Sequence, residues 1–359
     1  MTEPPPSGRS VGVMSVVLTI SALRSQARER TVAAKVRAQV DDLIRKEDRN
    51  AKPFWEVKLR DGGDALALKA WNSSANFAVC EELERGDTVE VEGEFSIGSY
   101  GLDAQRWTMR YLTKDEEKQL FEGDPDTRAV NEADFASVSR LVESIREPRL
   151  STLCRTFLAE FGPRFRRAAA ARNNHHAFRG GLLRHTAQMM ISADAISGVY
   201  PALNRDLLLA GTLFHDSGKL WEMCPPENGF EVPRELRGEL LGHITIGIEL
   251  VNSLWRKIAT EEWKTLQPAS EDIRAHLLHL VAAHHGELEY GSPVEPKTPE
   301  AIALHYIDNL DARLEMIFTA YKKQPEIAPG VRERVWALNV SPVNALPAWE
   351  ASGEDTTGA

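Results

Sequence analysis

The chain has 359 residues, of which 42% are hydrophobic and 27% charged, and its net charge is −10. These values exclude global disorder and predict a chain long enough for two folded domains. No run approaches 18 apolar residues, and the first ten residues lack the basic and apolar regions of a signal peptide. Together with only three widely spaced cysteines, this predicts no membrane span, no disulfide framework and a cytoplasmic location.

The first third of the chain has the pattern of a small antiparallel barrel. Five segments between residues 32 and 112 alternate apolar and polar residues, and turns such as 61–64 separate them. Segment 72–83, between the third and fourth of these, has room for a short helix. Three strands, a helix and two more strands are the order of an OB-fold. We therefore predict a nucleic-acid-binding OB domain at 14–113, after a disordered N-terminus at 1–13.

The rest of the chain has a helical pattern. Residues 114–135 are acidic and predict a linker. From about residue 136 the apolar residues follow helical spacing, which predicts an all-α bundle over 136–325. Residues 326–359 are rich in Pro, Ala and acids and predict a C-terminal tail, partly packed and frayed at its end.

All ten histidines lie between residues 175 and 305, so the chemistry is concentrated in the helical half. Imidazole and carboxylate groups recur there at intervals of 24 to 41 residues, a spacing that suits ligands from successive helices of a bundle. These ligand types favour Mn, Fe, Zn or Ni. The candidates are His185, the pair His215-Asp216, His243, the pair His284-His285, and Asp308 or Asp311.

The surroundings of His215 strengthen the prediction of a metal site. The apolar segment 207–214 leads directly into His215-Asp216-Ser217-Gly218-Lys219. A His-Asp pair at the end of such a helix is costly to bury without a partner, and a metal ion is the simplest partner. Lys219 could then direct its ammonium group at a bound phosphate.

The pattern of His185, His215-Asp216, Gly218-Lys219, His243, His284-His285 and Asp308 resembles the HD-domain metal-dependent phosphohydrolases. Within them, segments 175–186, 204–211, 284–293 and 305–312 are similar to the YhaM-type proteins, which couple an OB-fold to an HD domain. The resemblance is strong over about 170–315 and weaker over 32–113, and it does not cover the first 13 residues or the tail. Two positions depart from the pattern: Arg184 stands where many HD proteins have glutamate, and Ser217 where a hydrophobic residue is usual.

The resemblance implies a 3′→5′ exoribonuclease, typically manganese-dependent, that releases 5′-nucleoside monophosphates. It implies catalytic roles for Asp216 and Lys219 and two metal ions that share Asp216. The first ion would be held by His185, His215, Asp216 and Asp308, and the second by His243, His284, His285 and Asp216.

The substrate would be single-stranded RNA, or single-stranded DNA. Aromatic and basic residues alternate on one predicted barrel face, as single-strand binding requires, and a run of seven arginines against one acid, from Arg155 to Arg184, leads up to His185. This uneven distribution reconciles a negative chain with a nucleic-acid substrate. A ring or clamp of several copies would suit such an enzyme. The predicted substrate contacts are Phe54, Lys58, Arg60, Lys69, Trp71, Arg179 and Arg184.

Two other functions fit the same residues. An HD core serves equally in a nucleotide or cyclic-nucleotide phosphohydrolase, because function depends on the pocket rather than on the fold. A non-catalytic nucleic-acid-binding factor would keep the barrel and use the helical part as structure or sensor.

Overall fold

A computed structural model gives the fold of the protein and describes residues 16–98, 101–172 and 176–347. The predicted disordered N-terminus at 1–13, the end of the tail beyond residue 347 and His175 lie outside the described residues.

The N-terminal part is a barrel built on six strands and two helices. In chain order these are β1 (Val16–Leu18), α1 (Ile20–Ala27), β2 (Val32–Glu47), β3 (Pro53–Arg60), β4 (Ala65–Trp71), α2 (Ala75–Glu82), β5 (Thr88–Gly98) and β6 (Gly101–Tyr111). The strands follow the order β4-β3-β2-β5-β6, with β1 added in parallel beside β2. Because β4 also contacts β6, the sheet closes on itself. Three strands, a helix and two strands closed in this order confirm the OB-fold.

Strict alternation forms the barrel core. Val57 and Leu59 of β3 and Leu66 and Leu68 of β4 point inward and are buried, because successive side chains of a strand point to opposite faces. The intervening residues of both strands therefore share the outer face. Ile20 of α1 is also buried in this core.

The predicted linker is helical. Residues 114–135 hold α3 (Lys114–Glu122) and the first half of α4 (Pro125–Glu143). A capping box between Thr113 and Glu116 starts α3, and Asp124 caps α4, so good helix-start signals outweigh the acidic composition. Glu116 bonds Arg37 and Arg110 of the barrel, whereas α4 packs on helices of the bundle. The junction between the two domains thus lies at residues 123–124.

The rest is the predicted all-α bundle. Its helices are α5 (Pro148–Phe165), α6 (Gly181–Val199), α7 (Arg205–Phe214), α8 (Lys219–Glu222), α9 (Leu236–Ile258), α10 (Ser270–Ala283) and α11 (Pro299–Lys323). α7 lies at the centre, in contact with α4, α5, α6, α10 and α11, and all eight residues from Leu207 to Phe214 are buried. No helix within the described ranges is long and apolar enough to cross a membrane.

One loop of the bundle is fastened to the barrel. The side chain of Gln39 donates to the Asn228 carbonyl and accepts from the Phe230 backbone amide, at 3.3 and 3.0 Å. The Phe230 ring also packs on Phe121 of α3, with centroids 5.1 Å apart. These contacts give the two domains a direct junction in addition to the chain connection.

The predicted tail contains a short hairpin, β7 (Glu326–Ala328) and β8 (Val331–Arg332). Residues up to 347 follow it back along the end of α11, where the Tyr321 hydroxyl donates to the Val343 carbonyl at 2.8 Å. Trp336 is 80% exposed, so this segment packs through its backbone more than through its aromatic side chain.

Candidate metal centre

Five helices bring the predicted ligands to one point. His185 lies in the second turn of α6, and His215 and Asp216 follow the end of α7. His284 and His285 follow the end of α10, and Asp308 lies in the third turn of α11. The fifth ligand element is α9, described next.

α9 is interrupted immediately before its ligand. Gly242 has φ 68° and ψ 162°, a backbone conformation that favours glycine. This break turns the chain so that the second part of α9 begins at His243. α8 then approaches His243 closely, because a Cβ at Gly218 would lie 1.9 Å from the His243 carbonyl oxygen.

The ligand atoms form two adjoining groups. In the first, His185 Nε2 lies 3.2 Å from His215 Nε2 and 3.3 Å from Asp308 Oδ1. The second contains His243, His284 and His285, each of which offers a ring nitrogen within 4.8 Å of the others. The predicted ligands of this part of the chain therefore do converge.

Asp216 lies between these groups. Its Oδ2 is 3.3 Å from His215 Nε2, whereas its Oδ1 is 3.5 Å from His243 Nε2 and 3.7 Å from His284 Nε2. Asp216 Oδ1, His243 Nε2 and His284 Nε2 are buried without a hydrogen-bond partner among the described residues. Such atoms are costly to bury, and a divalent cation would satisfy all three. The residues present therefore fit a metal ion.

In three of the histidine rings, Nδ1 already donates a hydrogen bond to a backbone carbonyl. His215 Nδ1 donates to the Thr212 carbonyl at 2.7 Å, and His284 Nδ1 to the Val281 carbonyl at 2.8 Å. His285 Nδ1 donates to the Tyr290 carbonyl at 2.7 Å. When Nδ1 carries the proton, the lone pair of a neutral imidazole is on Nε2, the atom that faces the centre. Metal-ligating histidines are typically held in this way.

Carboxylates hold the remaining two rings. His185 Nδ1 donates to Asp311 Oδ2 at 2.7 Å, and His243 Nδ1 to Glu222 Oε2 at 3.2 Å. Between the two aspartates of α11, the structure therefore turns Asp308 towards the ligand atoms and places Asp311 behind His185. The same Asp311 oxygen also bonds His176 Nε2 at 2.9 Å.

Opposing charges set the ionisation of the centre. Burial alone would raise the pKa of Asp216, but the Lys219 ammonium and His215 hold it well below its usual value. Burial and the neighbouring His215 lower the pKa of His284, which keeps it a neutral donor. Burial would also lower the pKa of His185, yet its bonds to Asp308 and Asp311 raise it to about 9. The same carboxylates would attract a cation.

Lys219 is buried with its ammonium 2.6 Å from Asp216 Oδ2. The sequence predicts a phosphate contact for this residue, whereas the structure shows its direct partner to be the central aspartate. Lys219 therefore holds the Asp216 carboxylate in place.

Sequence reasoning missed Glu222 behind the ligands, and the resemblance over 175–186 included His176 without giving it a partner. Glu222 lies three residues after Lys219 on α8, so helical spacing after the His-Asp motif was a usable signal. No sequence signal links His176 to Asp311, because 135 residues separate them. His305 is also outside the ligand set: its Nδ1 bonds the His284 carbonyl at 3.0 Å.

The predicted aromatic and basic residues of the barrel share its outer face. Phe54 and Trp71 are directly opposite across β3 and β4, and their rings make a tilted contact with centroids 4.7 Å apart. Phe54 is buried at 8% exposure and Trp71 is 38% exposed, so Trp71 is the ring that a base could reach. Lys69 lies over the Phe54 ring at 5.7 Å. Lys58 is exposed on the same face, and Arg60 at its end is ion-paired with Asp41 at 3.3 Å.

The two predicted arginine contacts of the bundle have structural partners. Arg179 donates to the carbonyls of Pro226, Glu227 and Gly229 at 2.8 to 3.0 Å, which makes it the anchor of the loop that Gln39 holds from the other side. Arg184 is ion-paired with Asp134 of α4 at 2.9 Å. The geometry therefore gives both arginines structural partners, and their contact with a strand stays a prediction.

A cavity of about 840 Å³ lies where the barrel, the bundle and the C-terminal segment meet. Arg60, His176 and Arg179 are among its lining residues, and none of the predicted metal ligands is. The cavity is thus separate from the metal centre, with His176 and Asp311 between them.

Residues 182–313 match the family model for the HD domain, and this range contains all the predicted ligands. Two solved structures are similar to the N-terminal part, both of replication protein A from Methanococcus maripaludis. The second OB-fold domain of that protein is 20% identical, covers 23% of this chain and 86% of its own, and has a TM-score of 0.19. A crystal structure of a domain of the same protein is 22% identical, with coverages of 22% and 85% and a TM-score of 0.18. Scores this low add nothing to the fold assignment, which rests on the strand order.

Proposed function

We propose that this chain, an OB-fold followed by an HD domain, is a metal-dependent exonuclease that removes 5′-nucleoside monophosphates from the 3′ end of single-stranded RNA. HD domains are typical of metal-dependent phosphohydrolases. The observation that carries the hydrolytic part is the convergence of five anchored imidazoles and two carboxylates on one point. The barrel, over 14–113, is proposed as the strand-binding domain.

The ligand assignment follows the two groups of atoms. We assign one ion to His185, His215, Asp216 and Asp308, and a second to His243, His284 and His285, with Asp216 shared because its two oxygens face different groups. Such ions, with Mn²⁺ the first choice, would supply Lewis acidity and a water of lowered pKa.

The residues of the chain would orient the ligands around these ions. Asp216, held by Lys219 at 2.6 Å, keeps a fixed orientation between the two groups. Half-buried Asp311 and Glu222 hold the rings of His185 and His243 from behind. Because these side chains are held before a substrate binds, the negative charge that develops on the scissile phosphate would meet a preorganised site.

The barrel face supports a strand rather than a mononucleotide as substrate. The exposed Trp71 ring, packed on buried Phe54, forms an aromatic surface, and Lys58 and Lys69 add positive charge beside it. Bases stack on such rings and phosphates pair with such cations, without sequence preference. A mononucleotide hydrolase has no use for this surface.

The direct test uses a 5′-labelled single-stranded RNA, Mn²⁺ and a sequencing gel. An RNA of about 20 nucleotides is long enough to contact a stacking surface that binds several nucleotides. We expect a ladder that shortens from the 3′ end, and no ladder with the double variant His215→Ala, Asp216→Ala. Release of phosphate or monophosphate from free nucleotides without a ladder would favour the nucleotide phosphohydrolase. Tight RNA binding without turnover would favour the binding factor.

A further inference from the structure

The cavity between the barrel, the bundle and the C-terminal segment (residues 324–347) has a lining in which positive charge exceeds negative charge. The lining contains seven Lys and Arg residues and five Asp and Glu residues. Each of the five acids is bonded to a cation, to backbone amides or to a hydroxyl. Three of the cations have no carboxylate partner among the described residues, namely Arg179, Lys323 and Arg334. The charge of the cavity therefore favours an anionic ligand.

The outer face of the barrel leads into this cavity. Phe54, Lys58 and Arg60 lie at alternate positions of β3 on that face, and Arg60 lines the cavity. Trp71 is opposite Phe54, at the other end of the same pair of strands. Six residues of extended strand separate the two ends by about 20 Å. At 3.4 Å for each stacked nucleotide, a single strand that binds at Trp71 and follows this face would enter the cavity within about six nucleotides.

The bundle side of the cavity leads on to the metal centre. Glu315 of α11 lines the cavity. It follows Asp308 by seven residues, which places both on one face of the helix about 10 Å apart. His176, another lining residue, bonds Asp311, the carboxylate behind His185. A strand that reaches from the barrel face to the metal centre would therefore pass through the cavity.

The C-terminal segment adds an aromatic ring to the cavity. Trp336 lines it and is nevertheless 80% exposed, so most of the side chain is accessible to a ligand. The guanidinium of Arg334 lies over the indole, with its carbon 4.7 Å from the ring centroid. An accessible indole beside a guanidinium that lacks a carboxylate partner suits a nucleotide, because the base stacks on the ring and the phosphate pairs with the cation.

We propose that the cavity is the passage through which single-stranded RNA runs from the barrel face to the metal centre, with Trp336 and Arg334 as a second stacking contact after Trp71. This inference rests on the strand substrate of the proposed function, but it does not depend on hydrolysis. A base would stack on Trp336, and the neighbouring phosphates would pair with Arg334 and Lys323. The C-terminal segment would thus be part of the surface that binds nucleic acid.

Binding measurements test the contact. Fluorescence anisotropy of a labelled RNA of about 20 nucleotides is measured with EDTA present, so that the RNA stays intact. We expect Trp336→Ala to weaken binding about fivefold or more, the loss expected for one stacked base, and Arg334→Ala to reduce the salt dependence of binding as well. Tyr200→Ala and Arg256→Ala, exposed positions of the bundle outside the cavity lining, should bind as the unmodified protein does. Equal binding by Trp336→Ala and the unmodified protein would overturn the proposal.

Photo-crosslinking on the unmodified full chain tests the path. RNA with a single 5-bromouridine at varied distances from the 3′ end is irradiated with the protein in EDTA, and the labelled peptides are identified by mass spectrometry. We expect Trp336 to be labelled from positions nearer the 3′ end and Trp71 from positions further away. Labelling of Trp71 from every position, with none of Trp336, would overturn the passage.

The passage and the exonuclease can fail separately. Weaker binding by Trp336→Ala, together with no ladder from the unmodified protein and Mn²⁺, would support the passage and reject the exonuclease. A ladder together with equal binding by Trp336→Ala would support the exonuclease and reject the passage.

Discussion

Single hydrogen bonds behind the ligands determine what the metal centre can bind. Five imidazoles donate Nδ1–H to a carbonyl or a carboxylate, so five Nε2 atoms face inward. Without these bonds each neutral ring could adopt either tautomer, and the lone pair would face the centre only part of the time. The groups behind the ligands would therefore contribute to the affinity for a metal ion without touching it.

Asp311 is the best residue at which to test this contribution, because one of its carboxylate oxygens is hydrogen-bonded to both His185 and His176. We expect Asp311→Asn to weaken Mn²⁺ binding about 10- to 100-fold, since the neutral amide accepts both bonds less strongly. Titration calorimetry measures the affinity, and Asp272→Asn, on the exposed first turn of α10, is the matched control. Equal affinity in the two variants would contradict a supporting role for Asp311.

Between elements, close approach is what aligns α7, α8 and α9 around the centre. A Cβ at Gly218 would meet the His243 carbonyl at 1.9 Å and the Gly247 amide nitrogen at 2.8 Å. Both atoms belong to the backbone of α9, which cannot move without displacing His243. Glycine at 218 is therefore required by packing rather than by turn geometry.

Gly218→Ala should consequently lower the free energy of unfolding by about 1–3 kcal/mol and weaken metal binding at the same time. Gly198→Ala provides the contrast, because nothing lies within 4 Å of its Cβ position in α6; there alanine should stabilise by about 0.5–1 kcal/mol. Urea denaturation gives both values. A Gly218→Ala protein as stable as the unmodified one would show that α9 can shift freely.

The paired strands β3 and β4 offer a second test at this level. Removing the Trp71 ring should weaken binding of single-stranded RNA by about 1–3 kcal/mol, the usual contribution of one stacked base. Fluorescence anisotropy of labelled RNA measures the loss in Trp71→Ala. Tyr200→Ala, an exposed aromatic residue beyond the barrel, should bind normally, and a similar loss in both variants would remove the barrel face from the binding surface.

For the molecule as a whole, one buried amide contributes several hydrogen bonds to the junction between barrel and bundle. Gln39 donates to the Gly86 and Asn228 carbonyls and accepts from Phe230, and Arg179 holds the same loop from the bundle side. The loop 226–230 is therefore fixed from both domains, which would keep the barrel at a constant distance from the metal centre.

Gln39→Ala should lower the free energy of unfolding by about 1–3 kcal/mol, because the Phe230 amide and the two carbonyls lose a buried partner. Gln105→Ala on the exposed side of β6 should change it far less. Chemical denaturation distinguishes the two, and an unchanged midpoint for Gln39→Ala would mean that solvent replaces the lost bonds.

Local pattern was sufficient for much of this protein. Alternation with period two marked the barrel strands, and a His-Asp pair after an apolar helix marked the metal centre, because both signals depend on neighbours in the chain. The prediction of a linker at 114–135 used equally local information. It gave more weight to the acidic composition than to the caps at Thr113 and Asp124, which start two helices.

Contacts between residues far apart in the chain could not be predicted from local pattern. The choice between Asp308 and Asp311, one helical turn apart, depends on which carboxylate faces Nε2 of His185 and which faces its Nδ1. The partners of Arg179 and Arg184 lie 47 to 50 residues away in the chain, so sequence pattern could not show that these two arginines hold a loop and a helix. The burial of a side chain and the direction in which it points are set when the helices pack. The order of residues alone does not determine either.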